Sequence, residues 1–165
     1  MSEQRTSAPT RAARLAEELH EREIDALLVA APVNVRYLTG FTGSNGVALV
    51  LAGEAATQVG GQDASSGTFF TDFRYRAQSA EQVDAEFARE IVLGSLFDAA
   101  VASLDGASGT LGFDEASLTV AQHERLRGAL PGGWELAPCA GAVERLRAVK
   151  DEHELQRLRA AARLA

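Results

Sequence analysis

The stretch Ile24-Asp25-Ala26-Leu27-Leu28-Val29-Ala30-Ala31-Pro32-Val33-Asn34-Val35-Arg36-Tyr37-Leu38-Thr39-Gly40-Phe41-Thr42-Gly43-Ser44-Asn45-Gly46-Val47-Ala48-Leu49-Val50-Leu51 decides the fold. Ile24 to Ala30 is a short apolar run, too brief for a helix and bounded by Pro32, which suits a buried strand. Val47 to Leu51 is a second run of the same kind. Between them Gly40, Gly43 and Gly46 place three glycines in seven residues, which calls for tight or left-handed backbone. Two core strands flanking a shaped, glycine-rich loop are the nucleus of the molecule.

Working outward, Ala12, Leu15, Ala16, Leu19 and Glu23 recur at helical steps, with Glu17, Glu18, Glu21 and Arg22 on the other face. This predicts an amphipathic helix over 9–23, with Pro9 in its opening turn. Gly53 to Gly67 reads as a loop, long and glycine-rich for a hairpin, in which Thr57 to Val59 could extend a strand. Thr68 to Thr71 is a short strand. No helix-length periodic segment separates it from Val47–Leu51, so the two are expected to pair antiparallel.

Asp72 is placed to cap a helix running to about Gln82. Phe87 to Leu93 reads as a strand, and Ser95 with Asp98 as a capping box opening a helix to Leu104. Thr110 to Phe113 is a strand, Ser117 caps a helix to about Leu130, and Trp134 to Leu136 is the last strand. Ala140 to Arg147 forms a short helix. Asp151 as N-cap with Glu154 three residues on starts another, with Leu155, Leu158, Ala162 and Ala165 as its stripe and no glycine to end it. That open end suggests a cut sequence. The alternation predicts an α/β class, a three-layer α/β/α sandwich on a mixed, roughly six-stranded sheet.

Composition narrows the function. The chain has 165 residues, 46% hydrophobic and 24% charged, which excludes a disordered, collagen-like or disulfide-stapled chain. Sixteen basic residues against twenty-three acidic give −7, an unfavourable balance for a nucleic-acid partner. No apolar run is long enough to span a membrane, and Met1 to Arg11 lacks a secretory h-region. A lone Cys139 has no disulfide partner in the chain, which points to a reducing cytoplasm. From Glu144 onward the balance is +2, so the C-terminal segment is compositionally distinct.

Several chemistries fail on spacing. Gly40, Gly43 and Gly46 form GxxGxxG, which is neither the dinucleotide fingerprint nor a phosphate-binding P-loop. His20, His123 and His153 are the only histidines. His153 lies two residues from Asp151 and one from Glu154, so on a helix it does not converge with them. His123 shares helical spacing with Leu126 and Leu130 and reads as half-buried, and His20 as solvated. No GxSxG elbow exists, and Cys139 has no local histidine to activate it.

Three motifs resist these bland readings. Asn34-Val35-Arg36-Tyr37-Leu38-Thr39-Gly40-Phe41-Thr42-Gly43-Ser44-Asn45-Gly46, Thr71-Asp72-Phe73-Arg74-Tyr75 and Leu146-Arg147-Ala148-Val149-Lys150-Asp151-Glu152-His153-Glu154-Leu155 occur in that order. Together they resemble the N-terminal domain of the creatinase/prolidase/aminopeptidase P family, the last at its hinge to the catalytic domain. The resemblance divides the chain into an N-terminal domain over 1–149 and, over 150–165, the hinge and first helix of a catalytic pita-bread domain.

It further implies a cytoplasmic Xaa-Pro metallopeptidase as parent, or a creatinase-like hydrolase. Its two divalent ions, typically manganese, would be held by carboxylates and a histidine outside this chain. No catalytic or metal-binding residue can be assigned here. The resemblance implies a homodimer in which the domain contacts its own catalytic domain and a second subunit. In that arrangement Tyr37, Phe41, Ser44 and Asn45 would touch a proline-containing peptide substrate in the partner's active site. The competing reading of Tyr37 and Phe41 is that both are core residues. Asp72, Arg74 and Tyr75 are expected to be structural: a cap, an ion pair and a packed ring. The alternative function is a free-standing, non-catalytic protein-binding module of the same fold.

Overall fold

The computed structural model describes residues 9–60 and 67–163. A sheet of six strands runs through its centre: β1 (Ala26–Val29), β2 (Gly46–Leu51), β3 (Gly67–Asp72), β4 (Phe87–Val92), β5 (Gly109–Phe113) and β6 (Trp134–Pro138). Their order is β4-β3-β2-β1-β5-β6. β2 pairs antiparallel with both β1 and β3, while β3–β4, β1–β5 and β5–β6 are parallel. The sheet is therefore mixed, and the antiparallel pairing expected for Val47–Leu51 and Thr68–Thr71 is present, with Ala48 opposite Phe69.

Helices cover both faces. Strand side chains alternate in direction, so neighbouring residues feed different cores. Leu27, Val29 and Phe69 face α1 (Arg11–Glu21), α2 (Pro32–Thr39) and α7 (Ala142–Ala148). Leu28, Leu49 and Phe70 face α3 (Gly53–Gly60), α5 (Leu96–Ala102) and α6 (Val120–Ala129). All four residues of β1 are buried, as a strand covered on both faces requires. α4 (Arg76–Gln82) precedes β4, and α8 (Glu152–Ala162) follows α7.

Local chemistry sets the boundaries. Thr10 caps α1 by accepting from Ala13 N, and Ala12, Leu15 and Leu19 form its buried stripe. Pro32 opens α2, and Gly40 closes it at φ +79°, where any Cβ would also lie 2.8 Å from the carbonyl of Gln82.

Four expectations are corrected. Gly53 to Gly60 is the helix α3 rather than loop or strand extension, because Ala55 is buried beneath the sheet and Ala56 and Val59 pack beside it. Residues 61–66 of that connection lie outside the described residues, as does Ala165 of the C-terminal stripe. α6 is capped by Thr119, whose hydroxyl and Gln122 form a reciprocal box, while Ser117 bonds to the Asp114 carboxylate instead. Asp72 caps a single 3-10 turn (Phe73–Tyr75) before α4 begins. Ser95 caps α5, but Asp98 pairs with Arg125 rather than returning to Ser95 N.

Candidate functional site

The first two motifs meet at one corner, outside the carboxyl ends of β1 and β3. β1 leads into α2 on one face of the sheet, and its parallel neighbour β5 leads into α6 on the other. Where successive connections diverge like this, a crevice forms that open α/β sheets use for binding. Here a hollow of about 170 Å³ lies between the glycine loop and α6, with Pro32, Val35 and Phe97 among its apolar residues and Ser44, Asn45 and Gln122 among its polar ones.

Ser44 and Asn45 tie the loop to the second motif. Asn45 Nδ2 donates to Asp72 Oδ2 at 2.5 Å, and Thr71 Oγ1 donates to Asn45 O at 2.6 Å. Ser44 and Tyr75 share a hydroxyl–hydroxyl bond of 2.7 Å. Asp72 accepts from Arg74 N and, in a two-pronged pair, from Arg74 Nε and Nη2 at 2.9 and 2.7 Å. These bonds, from Arg74 first and Asn45 second, hold the Asp72 carboxyl well below the usual carboxylate range. One rung further out, Thr42 N and Oγ1 both donate to Gln82 Oε1.

Behind this polar lacing lies an aromatic cluster. The Phe41 ring is 4.7 Å from Phe69 and meets Tyr75 edge-on at 5.5 Å. Phe41 is 1% exposed, so its ring has no free face for a substrate; the structure places it as a core residue. A Cβ on Gly46 would come 2.7 Å from the Phe69 ring, so glycine there lets the loop close over the cluster. Ser44 is exposed and Asn45 half-buried; Arg74 is exposed and Tyr75 half-buried.

Tyr37 turns elsewhere. It is 8% exposed, and its hydroxyl donates to Leu146 O at 3.3 Å. Asn34, at 2% exposure, donates to Glu144 Oε1 at 2.6 Å and accepts from Arg147 Nη1 at 3.0 Å. The first motif thus joins the third as well as the second. Sequence reasoning did not assign Asn34 a partner; the available signal was a polar residue in an apolar turn, which must find hydrogen bonds once buried.

The remaining candidates stay apart from this corner. Cys139 is buried, which pushes its thiol up from the ordinary value, while Arg22 donates to its sulfur at 3.3 Å. The His123 ring packs against Phe113 at 5.1 Å, tilted by 52°. Among the described residues no group of three or more His, Cys, Asp or Glu gathers as a metal site would require, and no helix is long and apolar enough to cross a membrane.

Comparison with known proteins accords with this geometry. The Creatinase/Prolidase N-terminal domain matches residues 11–149. An uncharacterized peptidase, YqhT, of Bacillus subtilis (strain 168) is 34% identical over 145 residues, covering 86% of this chain and 36% of that protein. The N-terminal domain of the cytoplasmic peptidase PepQ from Mycobacterium tuberculosis H37Rv superposes with a TM-score of 0.67 at 35% identity, covering 83% of this chain and 98% of that one. An Xaa-Pro dipeptidase from Bacillus anthracis gives a TM-score of 0.73 at 27% identity, covering 88% of this chain and 37% of the dipeptidase. This chain thus spans little more than a third of the longer relatives. With the match extending over 11–149, the chain belongs to the Creatinase/Prolidase N-terminal domain family, as an N-terminal domain of the Xaa-Pro peptidase kind.

Proposed function

We propose that this chain is the non-catalytic N-terminal domain of a cytoplasmic Xaa-Pro metallopeptidase, of the aminopeptidase P or prolidase type. It supports a homodimer and shapes the entrance to the partner subunit's active site. The domain proper covers 1–149, and 150–165 form the hinge and first helix of the catalytic domain. The carrying observation is the corner itself. Ser44 and the exposed Thr42 sit on a loop laced to Thr71–Tyr75 and backed by Phe41 and Phe69, which is how a rigid lip is built from flexible residues. Ser44 and Asn45 would present hydrogen-bonding groups to a proline-containing peptide. Phe41 supports them from behind, and Tyr37 anchors the hinge.

Two divalent metal ions, manganese in this proposal, belong to the catalytic domain; among the described residues of this chain no ligand set comes together. Those ions would supply a metal-activated water for amide hydrolysis. The test is a pair of assays. The full-length protein with manganese should cleave an Xaa-Pro dipeptide, and this chain alone should not. Chelator-sensitive cleavage by this chain, or none by the manganese-loaded full-length protein, overturns the proposal.

A further inference from the structure

Arg11, in the first turn of α1, reaches from the N-terminal end of the chain to the start of α8. Its Nη1 donates to Tyr37 O at 2.8 Å. Its Nη2 meets Asp151 Oδ2 at 2.9 Å and Glu154 Oε1 at 3.4 Å. The guanidinium carbon lies 4.2 Å over the Tyr37 ring. Asp151 and Glu154 are the two halves of the α8 capping box: Glu154 N donates to Asp151 Oδ1 at 2.8 Å, and Asp151 N to Glu154 Oε2 at 3.0 Å. One planar cation, stacked on a buried tyrosine, therefore holds both carboxylates that begin α8.

Apolar contact cannot do this work. Leu158 is 53% exposed, Leu155 is only half-buried, and most of α8 beyond it faces solvent. A helix of this length is marginal by itself in water. Its first turn meets one prong of a guanidinium, Nη2, while the other, Nη1, is held on Tyr37 O, a two-ended arrangement that a single ammonium does not match. Side chains about a third exposed give an ion pair of small net stability, so its loss loosens the start of α8 without unfolding the domain.

We propose that Arg11, backed by Tyr37, is an interdomain positioning residue. It fixes the direction in which α8 leaves this domain, and with it the placement of the next domain against the Gly40–Gly46 loop. The second half of that statement rests on reading α8 as the first helix of a catalytic domain; the first half does not.

The test uses spin labels on Ala88→Cys and Ala160→Cys, two exposed positions on β4 and α8. The unmodified latch gives one narrow distance distribution. Arg11→Ala and, from the other side, Asp151→Asn broaden it, and Arg11→Lys falls between. The melting temperature changes by less than about 3 °C, as loss of a surface ion pair allows. In the full-length protein Arg11→Ala lowers kcat/KM for an Xaa-Pro dipeptide by about tenfold with bound metal unchanged, since misplacement alone is that costly. An unchanged distance distribution in both Arg11→Ala and Asp151→Asn overturns the latch, whatever the activity. A broadened distribution in this chain, with a full-length protein inert toward Xaa-Pro peptides, leaves the latch standing and removes the peptidase reading.

Discussion

Two carboxylate–arginine arrangements in this domain differ in everything except their chemistry. At the loop corner Asp72 and Arg74 are two residues apart, and behind them Phe41, Phe69 and Tyr75 fill a core. At the start of α8 Arg11 reaches Asp151, 140 positions along the chain, and beyond them α8 carries largely exposed side chains. The corner would hold its shape through packing if the ion pair were lost. The start of α8 has little packing to fall back on. The same interaction therefore finishes a rigid surface in one place and sets a direction in the other.

The largest expected effect breaks the packed side of this comparison. Phe41→Ala removes a buried ring and should cost about 3–5 kcal/mol, read by urea or thermal unfolding of this chain. A loss below about 1 kcal/mol would mean that the ring is free, as a substrate-facing residue would be. Next, Gly46→Ala forces a methyl against the Phe69 ring and should cost about 1–3 kcal/mol by overpacking.

The Asp72 pair sharpens the comparison through pH. Its carboxyl titrates below the ordinary 3.8 in the folded state, so its stabilisation is complete above that value and is lost as pH falls from there through the folded value. Asp72→Asn should be less stable than the parent near neutrality and should lose less stability on acidification, measured as melting temperature against pH. Equal slopes for the two proteins would show that the corner owes nothing to the charge. Smallest of all, Arg145→Ala breaks an exposed pair with Glu18 at 2.6 Å and should change stability by less than about 1 kcal/mol in the same unfolding assay.

The fold was legible where apolar period and caps agreed. All six strands, Ala12, Leu15 and Leu19 of the α1 stripe and the Asp151–Glu154 box fall where the sequence places them, whereas Glu23 lies exposed beyond the end of α1 at φ +58°. α3 was hidden because Gly53 and Gly60 bracket it and Thr57 weakens it; burial of Ala55 under the sheet, a tertiary effect, decides the matter. Ser117 and Thr119 compete for one cap, and the reciprocal Gln122 settles it for Thr119. In the site, the motifs could be found but not their mutual bonds. Phe41 reads as loop tip or core with equal ease, because the glycines after it permit either course, and only the cluster with Phe69 and Tyr75 distinguishes them. Tyr37 sits beside the loop in sequence, yet its ring meets Arg11 and its hydroxyl bonds to Leu146 O.

Subunit mixing in the full-length protein reads whether this corner acts on a partner's active site. One subunit would carry an inactivating change in the catalytic domain, the other Ser44→Trp in the exposed loop. Each homodimer should be impaired, and the mixed dimer should regain Xaa-Pro cleavage at one of its two sites, where an intact loop from one subunit faces an intact catalytic domain in the other. A mixed dimer no more active than its parents, with dimer exchange verified, would contradict the account.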